Sequence, residues 1–250
     1  MLRQRGVDAH VFDGTAPGPT LGPSLRQASH VVLSIAPGEA GDPALIHHRA
    51  DLDAAEQLEW LCYYSTIGVY GDFGGAWIDE SAPLVPRNAR SDRRVVAEQA
   101  WRDYAAARGV KLTILRLAGI YGPGRSTFDK LAEGTARRVI KPGQVFNRIH
   151  VADIGRVTAL AAAARLEGTY NLADDEPAPP QDLVTYAAGL MGVEPPPEIP
   201  FEAADFTPMQ RSFYADNKRV SNAAIKQALG IELLYPNYRD SLAAIWENTK

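Results

Sequence analysis

The sequence predicts an α/β fold: a mostly parallel sheet with helical crossovers, followed by a smaller, mainly helical C-terminal lobe. Two observations lead there. Apolar runs of strand length, His30–Ala36, Leu58–Ser65 and Val110–Leu117, alternate with stretches of helix length, the pattern of a parallel sheet rather than of hairpins. From residue 173 the character changes: Pro177, Pro179, Pro180, Pro195, Pro196, Pro197 and Pro200 break up the chain. Residues 1–172 are therefore assigned to the sheet domain and 173–250 to the lobe.

The elements follow in order. Met1-Leu-Arg-Gln-Arg-Gly6 reads as the last turn of a helix with a glycine stop. A chain rarely opens on a helix end, so residues upstream are expected. Val7–Phe12 alternates like a strand, and Gly14–Pro23 is a Pro/Gly loop. His30–Ala36 is continuous, as a strand buried on both faces would be. A helix is expected at Pro43–Ala55, a strand at Leu58–Ser65, and an irregular acidic segment at Ile67–Arg90. Arg90–Arg108 reads as a helix and Val110–Leu117 as a strand; Gly119–Gly124 is a turn and Ser126–Arg137 a helix. Val145–Ile149 is a short strand, Val151–Arg165 an alanine-rich helix and Thr169–Leu172 a strand. In the lobe, helices are expected at Gln181–Met191, Ser221–Leu229 and Asn237–Glu247.

The totals are those of a soluble globular chain: 250 residues, 46% hydrophobic, 22% charged, net charge -4. That balance gives no general field for nucleic acid or an anionic membrane, although local basic patches remain. Cys62 is the only cysteine, in an apolar run, so neither a disulfide nor a cysteine metal site is expected. His47 and His48 are adjacent and point apart on a helix, with no acid at ligand spacing, so no metal is expected. The N-terminus is polar without an apolar leader stretch, and the longest apolar helical run, near Val157–Ala164, is too short to cross a bilayer. The expected location is the cytoplasm.

The most informative stretch is Ser65-Thr-Ile-Gly-Val-Tyr-Gly-Asp72, a strand ending in two hydroxyls. The carboxyl edge of an open α/β sheet is where ligands bind. Three further motifs follow in order: Leu115-Arg-Leu-Ala-Gly-Ile-Tyr-Gly-Pro-Gly124, Arg148-Ile-His-Val-Ala-Asp153 and Tyr170-Asn-Leu-Ala173. Together these resemble the extended short-chain dehydrogenases/reductases, the NAD-dependent epimerase/dehydratase family, in an atypical form. The resemblance implies a Rossmann-like sheet domain, NAD or NADP as cofactor and a small carbonyl or hydroxyl substrate, with nucleotide sugars the family's typical substrates. A homodimer is left open; nucleic-acid and membrane partners are not expected.

The chain departs from the family pattern twice. The opening strand, glycine-rich turn and helix that bind pyrophosphate do not occur; Gly119, Gly122 and Gly124 have a different spacing, and Pro123 lacks an N–H. The chain is therefore read as lacking its N-terminal glycine-rich unit. The family's tyrosine and lysine, one helical turn apart, align with Arg90 and Arg94. Arginine stays protonated and cannot act as a base, so the standard proton relay is absent.

By the resemblance, Thr66 takes the place of the assisting serine, with Ser65 beside it and Tyr70 as substitute proton donor. Cofactor contacts fall on Asp13, Ser34, Arg94, Gly119, Tyr121 and Gly122, and substrate contacts on Asp79, Glu80, Arg116, Arg148 and His150. Several have a plainer alternative: Ser65 and Thr66 as strand-end hydroxyls that satisfy local backbone, Asp13 as a turn cap before Gly14, Tyr70 as a packing aromatic, Asp79 and Glu80 as solvated loop acids, Arg148 as a solvated loop cation, His150 as a structural histidine. Arg87, Arg90, Arg93 and Arg94 cluster at a helix start, where positive charge opposes the helix dipole. They are either a site for an anion or a solvated face paired with Asp92 and Glu98. The competing function is a dinucleotide-sensing or scaffold protein that kept the fold and lost the relay.

Overall fold

The computed structural model describes residues 3–248. Arg3–Arg5 form a 3-10 turn that Gly6 ends with φ 75°; Met1 and Leu2, part of the expected helix end, lie outside the described residues. Val7–Phe12 is a correction to the expected strand: it has no ladder partner among the described residues, and Val11 is exposed. An alternating sequence becomes a strand only where a neighbour takes its backbone groups.

The sheet begins after helix α1 (Leu21–Arg26) with β1 (His30–Leu33). Helix α2 (Pro43–Asp53) starts with Asp42 as cap and Pro43 in the first turn. Strand β2 (Trp60–Thr66) runs into a 3-10 turn, Ile67–Tyr70. The acidic segment contains β3 (Trp77–Ile78) and leads to α3 (Ala89–Arg108), capped by Asn88 and closed by Gly109 in the left-handed region. Then come β4 (Lys111–Leu117), β5 (Gly119–Tyr121), α4 (Thr127–Ala132), β6 (Arg138–Ile140), β7 (Arg148–His150), α5 (Val151–Ala164) and β8 (Gly168–Leu172). The lobe adds α6 (Pro180–Met191), β9 (Glu198–Pro200), α7 (Pro208–Phe213), β10 (Arg219–Val220), α8 (Ala223–Leu229) and α9 (Tyr238–Glu247).

The main sheet is parallel, in the order β1-β2-β4-β8. The two central strands are covered on both faces. Trp60 and Cys62 on β2, with Leu115 and Leu117 on β4, pack in a cluster with Ile154, Val157 and Ala161 of α5. The intervening Leu61, Tyr63, Leu112 and Ile114 pack with Trp101 and Tyr104 of α3. Each such large apolar side chain contributes roughly 1.5–3 kcal/mol on burial. Strand β1 corrects another expectation. It stops at Leu33, lies at the sheet edge and leaves Val32 exposed.

Two more differences concern the lobe. The expected helix Ser126–Arg137 ends at Ala132; Gly134 turns the chain with φ 68°, and Arg138–Ile140 becomes a strand paired with β9. Likewise Gly119–Tyr121, expected as turn, pairs in parallel with β7, and β10 pairs with β3. The lobe therefore draws short strands from well before residue 173. No described helix is long and apolar enough to cross a membrane.

Gly71 fixes how the chain leaves β2. Its φ is 73°, and a Cβ there would lie 2.0 Å from the Val85 carbonyl oxygen. Gly71→Ala is expected to destabilise the protein by at least about 2 kcal/mol, measured as the loss of unfolding free energy in urea.

Candidate functional site

Period-two alternation places Ser65 of β2 and Arg116 of β4, neighbours in register, on the α3 face of the sheet. Glu98 meets them there. The helix buries Ala97, Glu98, Trp101, Tyr104 and Ala105, so Glu98 falls on its inward stripe. Its carboxylate is fully buried and accepts from Ser65 Oγ at 2.6 Å, Arg116 Nε at 3.1 Å, Arg116 Nη2 at 2.8 Å and Arg102 Nη2 at 3.2 Å. Burial alone would raise the Glu98 pKa; the Arg116 fork outweighs it, with help from Ser65 and Arg102, and holds the carboxyl below its usual range.

The network continues outward. Arg116 Nη1 donates to Tyr70 Oη at 2.8 Å, and Tyr70 Oη donates to Asn171 Oδ1 at 2.7 Å. The Asn171 amide N–H donates to Glu80 Oε1 at 2.7 Å, and its side chain reaches the Ser221 carbonyl at 3.2 Å. Ser65, Tyr70, Arg116 and Glu80 are thus brought together, as one chain of hydrogen bonds that ties β2, β4 and β8 to the lobe. Tyr70 is fully buried and burial raises its pKa, so the phenol keeps its proton and donates it to Asn171 rather than to a ligand.

Thr66 is placed differently. It is half-buried at the carboxyl end of β2, and its Oγ1 accepts the Gly68 N–H at 3.1 Å, leaving the hydroxyl proton free to donate. The head of α3 packs beside it: a Cβ on Gly68 would lie 2.9 Å from Ser91 Oγ and 3.4 Å from Thr66 Oγ1. Arg94 Nη1 donates to the Tyr64 carbonyl at 2.7 Å and to Tyr63 Oη at 3.1 Å. Burial pushes the Tyr63 phenol up to about 12. Arg90, one turn earlier, is exposed and reaches Ser212 Oγ of α7 at 3.4 Å.

The glycine loop after β4 is filled from behind. A Cβ at Gly122 would lie 2.6 Å from Val151 Cγ1 and 3.2 Å from His150 Nε2. Gly119 and Ile120 are exposed, whereas Tyr121 is buried against the His150 ring. His150 caps α5, its Nδ1 accepting from the Ala152 N–H at 3.2 Å, and burial lowers its pKa. Asp153 accepts from the Leu234 and Tyr235 N–H groups at 2.7 and 3.0 Å, so the His150–Asp153 motif straps the lobe to the sheet domain. Arg148 is buried, donating to the Phe146 and Ala178 carbonyls at 2.9 and 3.0 Å.

The other named residues lie apart. Asp13 is exposed and accepts from Thr15 at 2.9 Å through the backbone N–H and 2.7 Å through the hydroxyl; Asp79 closes the same kind of turn with Ser81. Ser34 is exposed just past β1. Among the described residues no group of three or more His, Cys, Asp or Glu converges on a metal position. Sequence reasoning passed over Glu98, Asn171 and Asp174. Glu98 reads as a solvated helix acid, and only the buried stripe around it gives it away. Asp174 is buried with Oδ2 unpaired, and burial pushes it up to about 8.

Two outcomes follow. Removing one partner of the buried pair, Glu98→Ala or Arg116→Ala, is expected to cost about 3–5 kcal/mol of stability, read by chemical denaturation. The Asp174 carboxyl binds a proton in the folded state that the unfolded chain has already released. Stability should therefore fall as pH rises from near the unfolded value of 3.8 to about 8. Asp174→Asn should flatten that slope in melting curves taken across this range.

Comparison with known proteins agrees with this geometry. The profile of the NAD-dependent epimerase/dehydratase family matches residues 50–173, from within α2 to just past β8. The solved structure of a conserved protein of unknown function from Silicibacter pomeroyi is 48% identical, with a TM-score of 0.89; the match covers 99% of this chain and 85% of that one. Protein YeeZ of Escherichia coli K12 is 29% identical over 224 residues, 86% of this chain and 74% of YeeZ. The 3-diazoavenalumate denitrifying reductase of a Streptomyces species is 27% identical over 183 residues, 66% of this chain and 58% of the reductase. With its parallel sheet, its strand-end hydroxyls and its His150–Asp153 strap, the chain belongs to the NAD-dependent epimerase/dehydratase family.

Proposed function

We propose that this protein is an NAD(P)-dependent oxidoreductase or epimerase/dehydratase-like enzyme acting on a small carbonyl or hydroxyl substrate, with a nucleotide sugar as one candidate class. The observation that carries the reading is Thr66: a free hydroxyl proton at the carboxyl end of a central strand, with the head of α3 beside it. The residues present fit the nicotinamide end of the cofactor. Ser34, Thr66 and Gly119 stand at the ends of three adjacent strands, and Ile120 offers an exposed apolar face. The loop from Gly119 to Gly124 does not fit the pyrophosphate, since His150 and Val151 occupy the space behind Gly122 and Pro123 has no N–H.

When bound, the dinucleotide supplies hydride transfer. Thr66 would donate its hydrogen bond to the substrate oxygen, where charge builds up as the carbonyl is reduced. Arg94 would contribute fixed positive charge near the ribose and substrate. Neither arginine can move a proton, and Tyr70 is sealed inside the network, so the proton would come from water admitted to the cleft.

A second reading is favoured by one observation: arginines stand where the family's relay tyrosine and lysine align. In that reading the protein binds NAD(P) as a sensor or scaffold and turns nothing over. Titration of NADH and NADPH, followed by cofactor-oxidation assays over a panel of carbonyl compounds, separates the two. The enzyme reading expects binding and turnover, with Thr66→Ala lowering the rate by about 100-fold or more. The sensor reading expects binding without turnover and an affinity indifferent to Thr66→Ala. Failure to bind either dinucleotide contradicts both.

A further inference from the structure

Four arginines, Arg87 just before α3 and Arg90, Arg93 and Arg94 in its first turns, are sorted by the structure into two kinds. Arg87 pairs with Asp72 at 3.3 Å, and Arg93 with Glu39 at 2.8 Å. Arg90 and Arg94 have no carboxylate within ion-pair distance among the described residues. Glu98, a candidate partner for the cluster, is committed to Arg116 and Arg102. Asp42, whose carboxyl the Arg94 charge helps to keep ionised against the cost of burial, caps α2 with Oδ1 and lies beyond ion-pair distance of Arg94. Two like charges four residues apart share one side of the helix, at the end where the dipole disfavours cations. Of the amides at this helix start, the Ser91 N–H is already taken, by Asn88 Oδ1 at 3.0 Å.

The surroundings point the same way. The Thr66 hydroxyl, beside this turn, has a proton to give and no acceptor, while its oxygen already accepts from Gly68. Arg94 spends Nη1 on Tyr63 and Tyr64, leaving Nη2 and Nε. Arg90 has one polar contact, a long one to Ser212 Oγ, whose own proton goes to the Met209 carbonyl. The donor set thus holds two guanidiniums and a hydroxyl with no anionic acceptor. On the α7 side, Met209 and Phe213 are 60% and 56% exposed, and the Phe213 ring lies 5.3 Å from the Arg90 guanidinium carbon.

We propose that Arg90 and Arg94 hold an oxyanion, a carboxylate or phosphate carried by the substrate, beside the carbonyl oxygen that the Thr66 hydroxyl takes, with the Met209–Phe213 face receiving its apolar part. The inference rests on the enzyme reading of the same cleft and narrows its substrates to anionic carbonyl or hydroxy compounds. The positive charge that replaces the relay then serves recognition, through charge-assisted hydrogen bonds that arginine makes to planar oxyanions.

Calorimetric titration of phenylpyruvate and of inorganic phosphate tests it on wild type, Arg90→Ala, Arg94→Gln, the double variant and Arg93→Ala, each checked for an unchanged melting transition. Phenylpyruvate should bind the wild type, lose about tenfold in affinity in Arg90→Ala and more in the double variant, and be unaffected by Arg93→Ala. Wild type binding neither probe, or Arg90→Ala binding both as the wild type does, overturns the proposal. NADPH titrated into the same variants identifies the source of the oxyanion. If Arg90→Ala weakens NADPH and leaves phenylpyruvate unchanged, the group belongs to the cofactor and the substrate assignment is wrong. If no variant binds NADPH while phenylpyruvate still depends on Arg90, the oxyanion site stands and the dinucleotide-dependent reading fails.

Discussion

The buried pair of Glu98 and Arg116 is the interaction on which the rest of this structure depends. A carboxylate taken out of water costs several kcal/mol unless it is met by charge and hydrogen bonds. Here it is met by four donated hydrogen bonds, two from one planar fork. That requirement fixes the pitch of α3 against β2 and β4. It also fixes Tyr70, because the same guanidinium reaches the phenol, and through Tyr70 the β8 strand and the Ser221 segment of the lobe. An apolar core alone would tolerate small rotations of α3; this network does not.

The functional consequence is a division of labour along one strand end. Ser65 turns inward and serves the network, whereas Thr66, the next residue, keeps a free proton at the carboxyl end of the strand. Period-two alternation makes that division automatic. The same helix that supplies Glu98 on its inner face presents Arg90 and Arg94 at its head, so the position of these charges follows that of the buried ion pair a turn further on. Beneath the strand end, Ser65, Glu98, Arg116, Tyr70 and Asn171 are committed to one another.

Much of this was legible in the sequence. The strands β2 and β4 follow from apolar runs buried on both faces, and α3 and α5 from the stretches of helix length that follow them. The four ordered motifs point to the family, and the arginines at positions 90 and 94 are visible at once. What was not legible depends on distant partners. Val7–Phe12 alternates like a strand but finds no ladder among the described residues, while Arg138–Ile140 and Arg219–Val220 become strands only because β9 and β3 reach them. The resemblance puts Tyr70 and Arg116 at the substrate; their burial follows from Glu98, which only the apolar stripe around it on α3 marks as inward. The fate of the four arginines likewise turned on which acids lay nearby in space.

The buried polar network is expected to deliver Thr66 and the head of α3 to a bound dinucleotide. Hydrogen exchange of the backbone amides, measured with and without NADPH, tests it most directly. The account predicts added protection at the end of β2 and its following turn, 64–70, at the start of α3, and at 118–120. Protection confined to other segments, or no change at a saturating NADPH concentration, would contradict it.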